Sequence, residues 1–370
     1  TLTQADGLIT VTQPSYRFDL QIEEDLIEEV ARLVGYDALP HTPPLAPVVP
    51  QSRRESQRSP FAVRRLLAGL GYQETINYSF VEERWERELA GNTDPVRLLN
   101  PIASQMSVMR SSLLGSLVSV LKFNLDRKAQ RVRLFELGRV FRKDASVPDS
   151  VTSVAGFDQP MRVAGLAYGG VDSLQWGSAD RAVDFFDVKG DVQALLAPLQ
   201  PVFQPAEHPA MHPGRCASVW LGESCIGHVG ELHPKWRQGY ELVQAPVLFE
   251  LALDAVLQRD VPALQPVSRH QPVERDIAIV VKESVTHAAV MGAIRAVGSA
   301  LLRDAVLFDV YRPKKLADGS LAGGLAADEK SLAVRLTFSR DDATLTDDEI
   351  ETVVQQLLAS LSERVAARLR

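Results

Sequence analysis

An α+β fold is what the sequence predicts, and three observations carry the prediction. Helical segments and largely antiparallel strand segments are mixed through the middle of the chain in a way that suggests one sheet with helices packed on it. Two proline-rich seams, Leu39 to Gln51 with five prolines and Gln258 to Pro272 with three more, read as extended linkers between packed blocks. The last block has the element order β-α-β-β-α-β, the split unit of a ferredoxin-like sheet. The seams leave an N-terminal remnant (1–40), a middle block (52–257) and a C-terminal block (268–370).

The elements follow in order. Ser59 to Glu74 opens on Ser-Pro, keeps apolar residues at helical spacing and stops at Gly71. Thr75 to Val81 reads as a strand, and Ser111 to Arg127 as a second amphipathic helix. Val132 to Phe141 and Arg162 to Gly170 are strands, and Val183 to Leu199 carries a helix. Ala217 to Leu232 is a hairpin with Gly at its turns, and Pro246 to Leu257 runs from strand into helix. In the last block, Glu274 to Val281, Ala305 to Arg312 and Ser331 to Arg340 are strands. Thr286 to Gly298 is a helix, and a capping box from Thr346 to Glu349 starts another that runs to about Ser362. The closing VAARLR alternates like a strand.

At 370 residues the chain is long enough for two or three domains. A composition 45% hydrophobic and 24% charged is that of an ordinary soluble globular protein. No apolar run approaches the ~20 residues that span a bilayer, and no signal peptide opens the chain. Thr1 stands where an intact reading frame has Met, so a fragment of a longer protein is expected. Cys216 and Cys225, the two cysteines, fit neither a zinc spacing nor a disulfide framework, which predicts a reducing cytoplasm. A formal net charge of −7 does not advertise a nucleic-acid binder, though local patches decide such binding.

The stretch RFDLQIEEDLIEEVARLVGYDALP, from Arg17 to Pro40, places six carboxylates between Asp19 and Glu29. Asp25, Glu28 and Glu29 share one face at a helix start, with Asp19 just upstream on an incoming strand. Carboxylates gathered this way repel unless a cation, or the dipole of the helix N-terminus, answers them. Oxygen-only ligands suit a hard ion such as Mg²⁺. The residues alone leave open a metal site and a solvated acidic helix start.

Other residues invite sharper readings. His208, His212, His228 and His233 lie near both cysteines, but their spacings fit no zinc pattern, and turn or core roles are expected. Arg110 is expected at a helix-start hydrogen bond rather than on a nucleotide, and Gly169-Gly170 at a turn. Asp184, Asp187 and Asp191 read as a polar helix face. The C-terminal block holds fourteen Lys and Arg against fifteen Asp and Glu, so it is not basic as a whole. Arg312, Lys314 and Lys315 nevertheless cluster after its second strand, and Arg269 and Arg275 flank its first. Such cations can hold phosphates without reading sequence. Tyr311 and Phe308 could stack on bases, with Phe308 expected in the core.

Three blocks together resemble the β subunit of bacterial phenylalanyl-tRNA synthetase: PSYRFDLQIEEDLIEEVARLVGYDALP; NPIASQMSVMRSSLLGSLVSVLKFNL with LFELGRVF and HPGRCASVWLGESCIGHVGELHPKW; and ERDIAIVV through LFDVYR. The resemblance covers essentially the whole chain in the family's order. It implies the tail of the metal-site domain, a class II synthetase-like antiparallel sheet domain without catalytic activity, and a ferredoxin-fold anticodon-binding domain. It also implies that Asp19, Asp25, Glu28 and Glu29 ligate a Mg²⁺ shared with the α subunit, and that Glu23 and Glu24 are solvated. ATP would be bound by the α subunit, two αβ pairs would form a tetramer, and tRNA(Phe) would be the nucleic-acid partner. Amino-acid activation needs cations on the ATP phosphates, and PVLFELALDAVL, the region matching the family's third motif, has neither arginine nor glycine.

Two other classes stay open at this stage. A free-standing RNA-binding module on the ferredoxin-like domain would not need the long middle block. A Mg²⁺-dependent phosphoryl hydrolase would need a Lys or Arg constellation beside the carboxylates near 19–29, and none is read there.

Overall fold

The structure is a computed structural model that describes residues 1–48, 54–264, 267–313 and 325–370. The chain divides into two units, Thr1–Val261 and Pro262–Arg370.

The first residues form a hairpin that the sequence did not announce, β1 (Leu2–Ala5) against β2 (Leu8–Val11), turning through Asp6 and Gly7 at positive φ. Helix α1 (Glu23–Val34) follows. Asp19 is not on an incoming strand. The Arg17 amide bonds back to the Pro14 carbonyl at 3.0 Å, so the backbone turns before the helix and Asp19 sits in a turn.

Helix α2 (Pro60–Gly69) starts where Ser-Pro predicts, with the Ser59 hydroxyl accepting from the Ala62 amide at 3.2 Å. The expected strand from Thr75 to Val81 is reduced to its flanks, β3 (Gln73–Glu74) and β4 (Phe80–Val81). Between them Asn77 turns its amide group to the Glu136 carboxylate, and the Thr75 amide bonds the Phe135 carbonyl. Side-chain capture thus replaces a continuous ladder. Next come α3 (Glu83–Trp85), which runs into a π turn at Glu86–Ala90, β5 (Val108–Met109) and α4 (Leu114–Leu125). The chain continues through β6 (Val132–Arg139), β7 (Arg142–Lys143), β8 (Phe157–Asp158), β9 (Met161–Tyr168) and α5 (Phe185–Leu196). It closes with β10 (Val202–Pro205), the long hairpin β11 (Met211–Leu221) and β12 (Ser224–Leu232), α6 (Pro234–Gly239), β13 (Val247–Ala252) and α7 (Leu253–Leu257).

Seven of these strands form one sheet in the order β10-β11-β12-β13-β9-β6-β3, antiparallel except for the β3–β6 pair. Both faces are covered, and the period-two alternation of strands sorts the side chains. On β6, Phe135 and Leu137 join Leu67 of α2 and Val192 of α5 in one core. Val132 and Leu134 join Leu117 and Leu121 of α4 in the other. Leu117 and Leu121 are fully buried, each contributing about 1.5–3 kcal/mol.

The second unit is β14 (Val273–Lys282), α8 (His287–Arg295), β15 (Leu302–Tyr311), β16 (Glu329–Phe338), α9 (Asp347–Val365) and β17 (Arg368–Leu369). Its antiparallel sheet has the order β15-β16-β14-β17, the ferredoxin-like arrangement that the βαββαβ reading predicts. Thr286 caps α8, and Thr346 and Glu349 bond each other's backbone amides at the start of α9. Val290, Ile294, Leu357 and Leu361 cover one face of this sheet through Ile277, Ile279, Val334 and Leu336. Phe308 is not core: it is 53% exposed, like its neighbours Val306 and Val310, while Leu307 joins the core. Edge strand β15 carries a register shift between Leu307 and Asp309, so its alternation breaks beside the exposed Phe308.

Candidate functional site

The acidic stretch comes first, because the sequence places its strongest site expectation there. Asp25, at the third position of α1, accepts from the Gln21 and Ile22 amides at 2.7 and 2.9 Å, so it caps its own helix. Asp19 receives the Arg17 guanidinium at 2.8–3.1 Å, and the same arginine reaches Glu29 at 2.6 Å. Arg32 also bonds Glu29. These arginines hold the Asp19 and Glu29 carboxyls below the usual range. The expectation that no Lys or Arg accompanies these carboxylates is therefore corrected, since Arg17 and Arg32 do.

The donor set of four carboxylates suits a hard divalent ion, and α1 carries Asp25, Glu28 and Glu29 together. Guanidinium or backbone N–H groups nevertheless engage both oxygens of Asp19, both of Glu29 and one of Asp25. Among the described residues, no three His, Cys, Asp or Glu side chains are grouped to hold a metal. The chemistry of the ligands fits a metal, but their arrangement in this chain does not present one.

The middle sheet holds a second constellation that the sequence does not reveal. Ser218, His228, Glu250, Ala164 and Glu136 pair in register across β11, β12, β13, β9 and β6, a polar row on the face that α4 covers. Three buried or near-buried carboxylates engage the turn Arg110–Leu113 that enters α4. Glu136 pairs with Arg110 at 2.8 Å, and Glu86 accepts from the Ser111 amide at 2.8 Å. Glu250 accepts from the Leu113 amide at 2.6 Å and the Ser112 hydroxyl at 3.2 Å. Burial pushes the Glu250 carboxyl upward, and the Leu113 amide works against that shift. Arg110 does not serve the helix start, as expected from sequence, but an ion pair, with its Nε donating to the Arg139 carbonyl at 3.1 Å. Gly138 leaves room for that guanidinium, since a Cβ there would lie 2.4 Å from it. This region supplies structural anchors, and it contributes no free cation from PVLFELALDAVL.

The histidines hold backbone. His208, His212 and His233 accept the amides of Ala210, Gly214 and Lys235 through Nδ1 at 3.2, 2.9 and 3.1 Å. His208 stacks near His228, ring centres 5.1 Å apart. Asp184 and Asp187 form a capping box on α5, and Asp191 binds Arg133 at 2.9 Å and the Tyr72 hydroxyl at 2.7 Å.

The C-terminal cations do not form one patch. Arg269 precedes β14 and Arg275 lies on its first half, paired with Asp347 at 2.9 Å. Arg312 follows β15 and is held by Glu283, beyond the last residue of β14, at 2.8 Å. Because β14 and β15 each pair antiparallel with β16, these groups lie at opposite ends of the sheet. Lys314 and Lys315 lie outside the described residues. Sequence reasoning missed the open face between those ends, where the Arg335 guanidinium sits 5.4 Å from the Phe308 ring centre. A register shift between Leu307 and Asp309 breaks the alternation of β15 at Phe308, so no simple period in the sequence marks that ring as exposed.

Comparison with known proteins matches three family models in order along the chain. A family model described as the phenylalanyl tRNA synthetase beta chain CLM domain matches residues 39–253. A ferredoxin-fold anticodon binding domain matches 268–370, and a tRNA synthetase B5 domain matches 1–36. The chain is 50% identical to the phenylalanine–tRNA ligase beta subunit of Ralstonia nicotianae over 371 residues, covering 99% of this chain and 45% of the relative. The corresponding subunit of Cupriavidus pinatubonensis is 49% identical over the same shares. That of Chromobacterium violaceum is 49% identical over 100% of this chain and 44% of its own length. The chain thus spans about half the length of the curated relatives it matches. A solved pyrrolysyl tRNA synthetase, PylSc of Desulfitobacterium hafniense, aligns with a TM-score of 0.37 and 12% identity over 53% of this chain and 65% of that one, too little to carry an argument.

Proposed function

The chain belongs to the phenylalanyl-tRNA synthetase beta chain family, and from that premise we propose that it works as the non-catalytic β side of phenylalanine–tRNA ligase. In this reading the enzyme attaches phenylalanine to tRNA(Phe) at the expense of ATP in the cytoplasm. An α subunit binds ATP and carries out the chemistry, and this chain contributes assembly surface and tRNA contacts within an α2β2 tetramer. The observation that carries the reading is the order of three matched domains along one chain, together with 50% identity to a phenylalanine–tRNA ligase beta subunit. The proposed division is 1–40, 52–257 and 268–370. The part-buried Glu250 on β13, where activation would want a cation on phosphate, supports a non-catalytic middle domain.

The carboxylates of Asp19, Asp25, Glu28 and Glu29 are, on this proposal, the chain's ligands for the shared Mg²⁺. When bound, the ion would supply positive charge that answers the repulsion among these carboxylates. Arg269, Arg275, Arg312, Lys314 and Lys315 are the proposed phosphate contacts on tRNA.

The test is reconstitution. The full-length subunit should capture an α-type synthetase subunit and form a tetramer active in phenylalanine-dependent ATP–pyrophosphate exchange, while the β side alone should show no exchange. Failure to capture an α subunit, or robust exchange without one, would overturn the proposal.

A further inference from the structure

A cavity of about 250 Å³ opens between α4 and the chain that leads from β3 to α3. Its walls carry three aromatic side chains, Tyr78, Phe80 and Trp85, and one carboxylate, Glu82. Trp85 is pressed onto α4 at Gly115, where an added Cβ would lie 2.9 Å from the ring, so that wall is fixed against the helix. Ser116, the next residue of α4, also lines the cavity. It is only 5% exposed, and its hydroxyl has no hydrogen-bond partner among the described residues. Glu82 is half-buried, and its carboxylate makes no ion pair or hydrogen bond among the described residues. The cation two residues on, Arg84, is taken by Glu88 at 2.8 Å. The Asn77 amide, on the same wall, is committed to Glu136 at 2.7 Å. We infer that this cavity is a binding site for a primary amine with an aromatic or other apolar body and no carboxylate of its own.

Different groups select the body and the head of such a ligand. Apolar walls supply affinity by burial, and a few polar groups among them fix orientation. An ammonium offers three donors and no acceptor. Glu82 answers it with charge-assisted hydrogen bonds, the Ser116 hydroxyl is a further acceptor, and the aromatic faces attract the cation. A half-buried carboxylate without a partner has lost hydration that a cation restores. None of the described residues lining the cavity is Lys or Arg, so a carboxylate on the ligand would face Glu82 unanswered. The site therefore holds an amine and rejects the corresponding amino acid.

The experiment labels the four tryptophans of the whole chain with 5-fluorotryptophan and titrates phenethylamine, with the Trp85 signal assigned through Trp85→Phe. Fluorine NMR should show that signal moving saturably while those of the other tryptophans hold still. Glu82→Gln should weaken binding about tenfold to a hundredfold, and Ser116→Ala about threefold to tenfold. L-phenylalanine should bind at least about tenfold more weakly than phenethylamine, because its carboxylate meets Glu82. No saturable movement of the Trp85 signal at millimolar phenethylamine would overturn the proposal. So would equal affinity in Glu82→Gln, or phenylalanine bound as well as the amine. Neither side chain has a partner to lose, so both variants should keep the wild-type thermal midpoint. If Glu82→Gln does not fold, the comparison of amine with amino acid on the wild-type chain decides.

Discussion

Arg110 and Glu136 face each other at 2.8 Å with side chains only 3% and 4% exposed, an ion pair sealed between α4 and the middle sheet. Such a pair costs desolvation on both sides, and its net worth is small, but removing one partner strands the other. Glu136→Ala should therefore destabilise the protein by about 3–5 kcal/mol in urea unfolding. Replacing both, Arg110→Met with Glu136→Leu, should recover much of that loss. A single substitution costing less than about 1 kcal/mol would mean that water reaches the pair.

Glu250 offers the complementary case. It accepts the Leu113 amide at the start of α4, where Leu113 itself has no capping side chain. Its folded pKa is raised, so its charged form is disfavoured and its stabilising effect fades as pH rises through the folded value. Glu250→Gln keeps an acceptor and removes the charge, and should be neutral or stabilising at pH 7. Glu250→Ala removes the acceptor and should cost about 1–3 kcal/mol. Thermal midpoints of the two variants across pH 5–8 check both signs.

Far more of the C-terminal fold than of the middle site was legible in the sequence. Thr286, Thr346 and Glu349 announce their helices locally, and period-two alternation announces the strands, so the βαββαβ order could be read without tertiary knowledge. Glu136 and Glu250 are distant in sequence and fall in one row only because each pairs with Ala164 of β9, from either side. No local pattern encodes that row. At the N-terminal stretch, spacing and resemblance select four carboxylates but say nothing of Arg17, whose role depends on a turn at Pro14 that folds it back.

His208 should make stability depend on acid. Burial, followed by His228 and Arg142, lowers its pKa from 6.5 to about 4. The unfolded chain then binds a proton that the folded chain refuses between those values, so stability should fall as pH drops from about 6.5 to about 4. The contribution is on the order of 3 kcal/mol at the acid end. His208→Asn should flatten the slope of unfolding free energy against pH in that window. An unchanged slope would show that the ring takes up its proton in the folded protein.

Phe308 is open to a nucleobase. At 53% exposure beside Arg335, it combines an aromatic face with a cation. In the assembled enzyme Phe308→Ala should lower tRNA affinity by about 1–3 kcal/mol, the range for one stacked base. It should leave domain stability and amino-acid activation nearly unchanged. Filter binding at two salt concentrations checks this, because loss of stacking should leave the salt slope intact, whereas Arg312→Ala should reduce it. No change in affinity would move the RNA surface off this face.

The seven-stranded sheet also sets an order of events on a growing polypeptide. β6 meets β9, and β11, β12 and β13 meet in succession, through connections that are short beside the long excursion that brings β9 against β13. Two half-sheets can therefore form early, and their union is the slow step, since closing the larger loop costs chain entropy before any contact rewards it. Until then, VAGLAY of β9 and VLFEL of β13 each expose an apolar rim with unpaired backbone groups, an invitation to another nascent chain. The hazard of misassembly is concentrated at one seam, and it persists until β13 has emerged from the ribosome and docked.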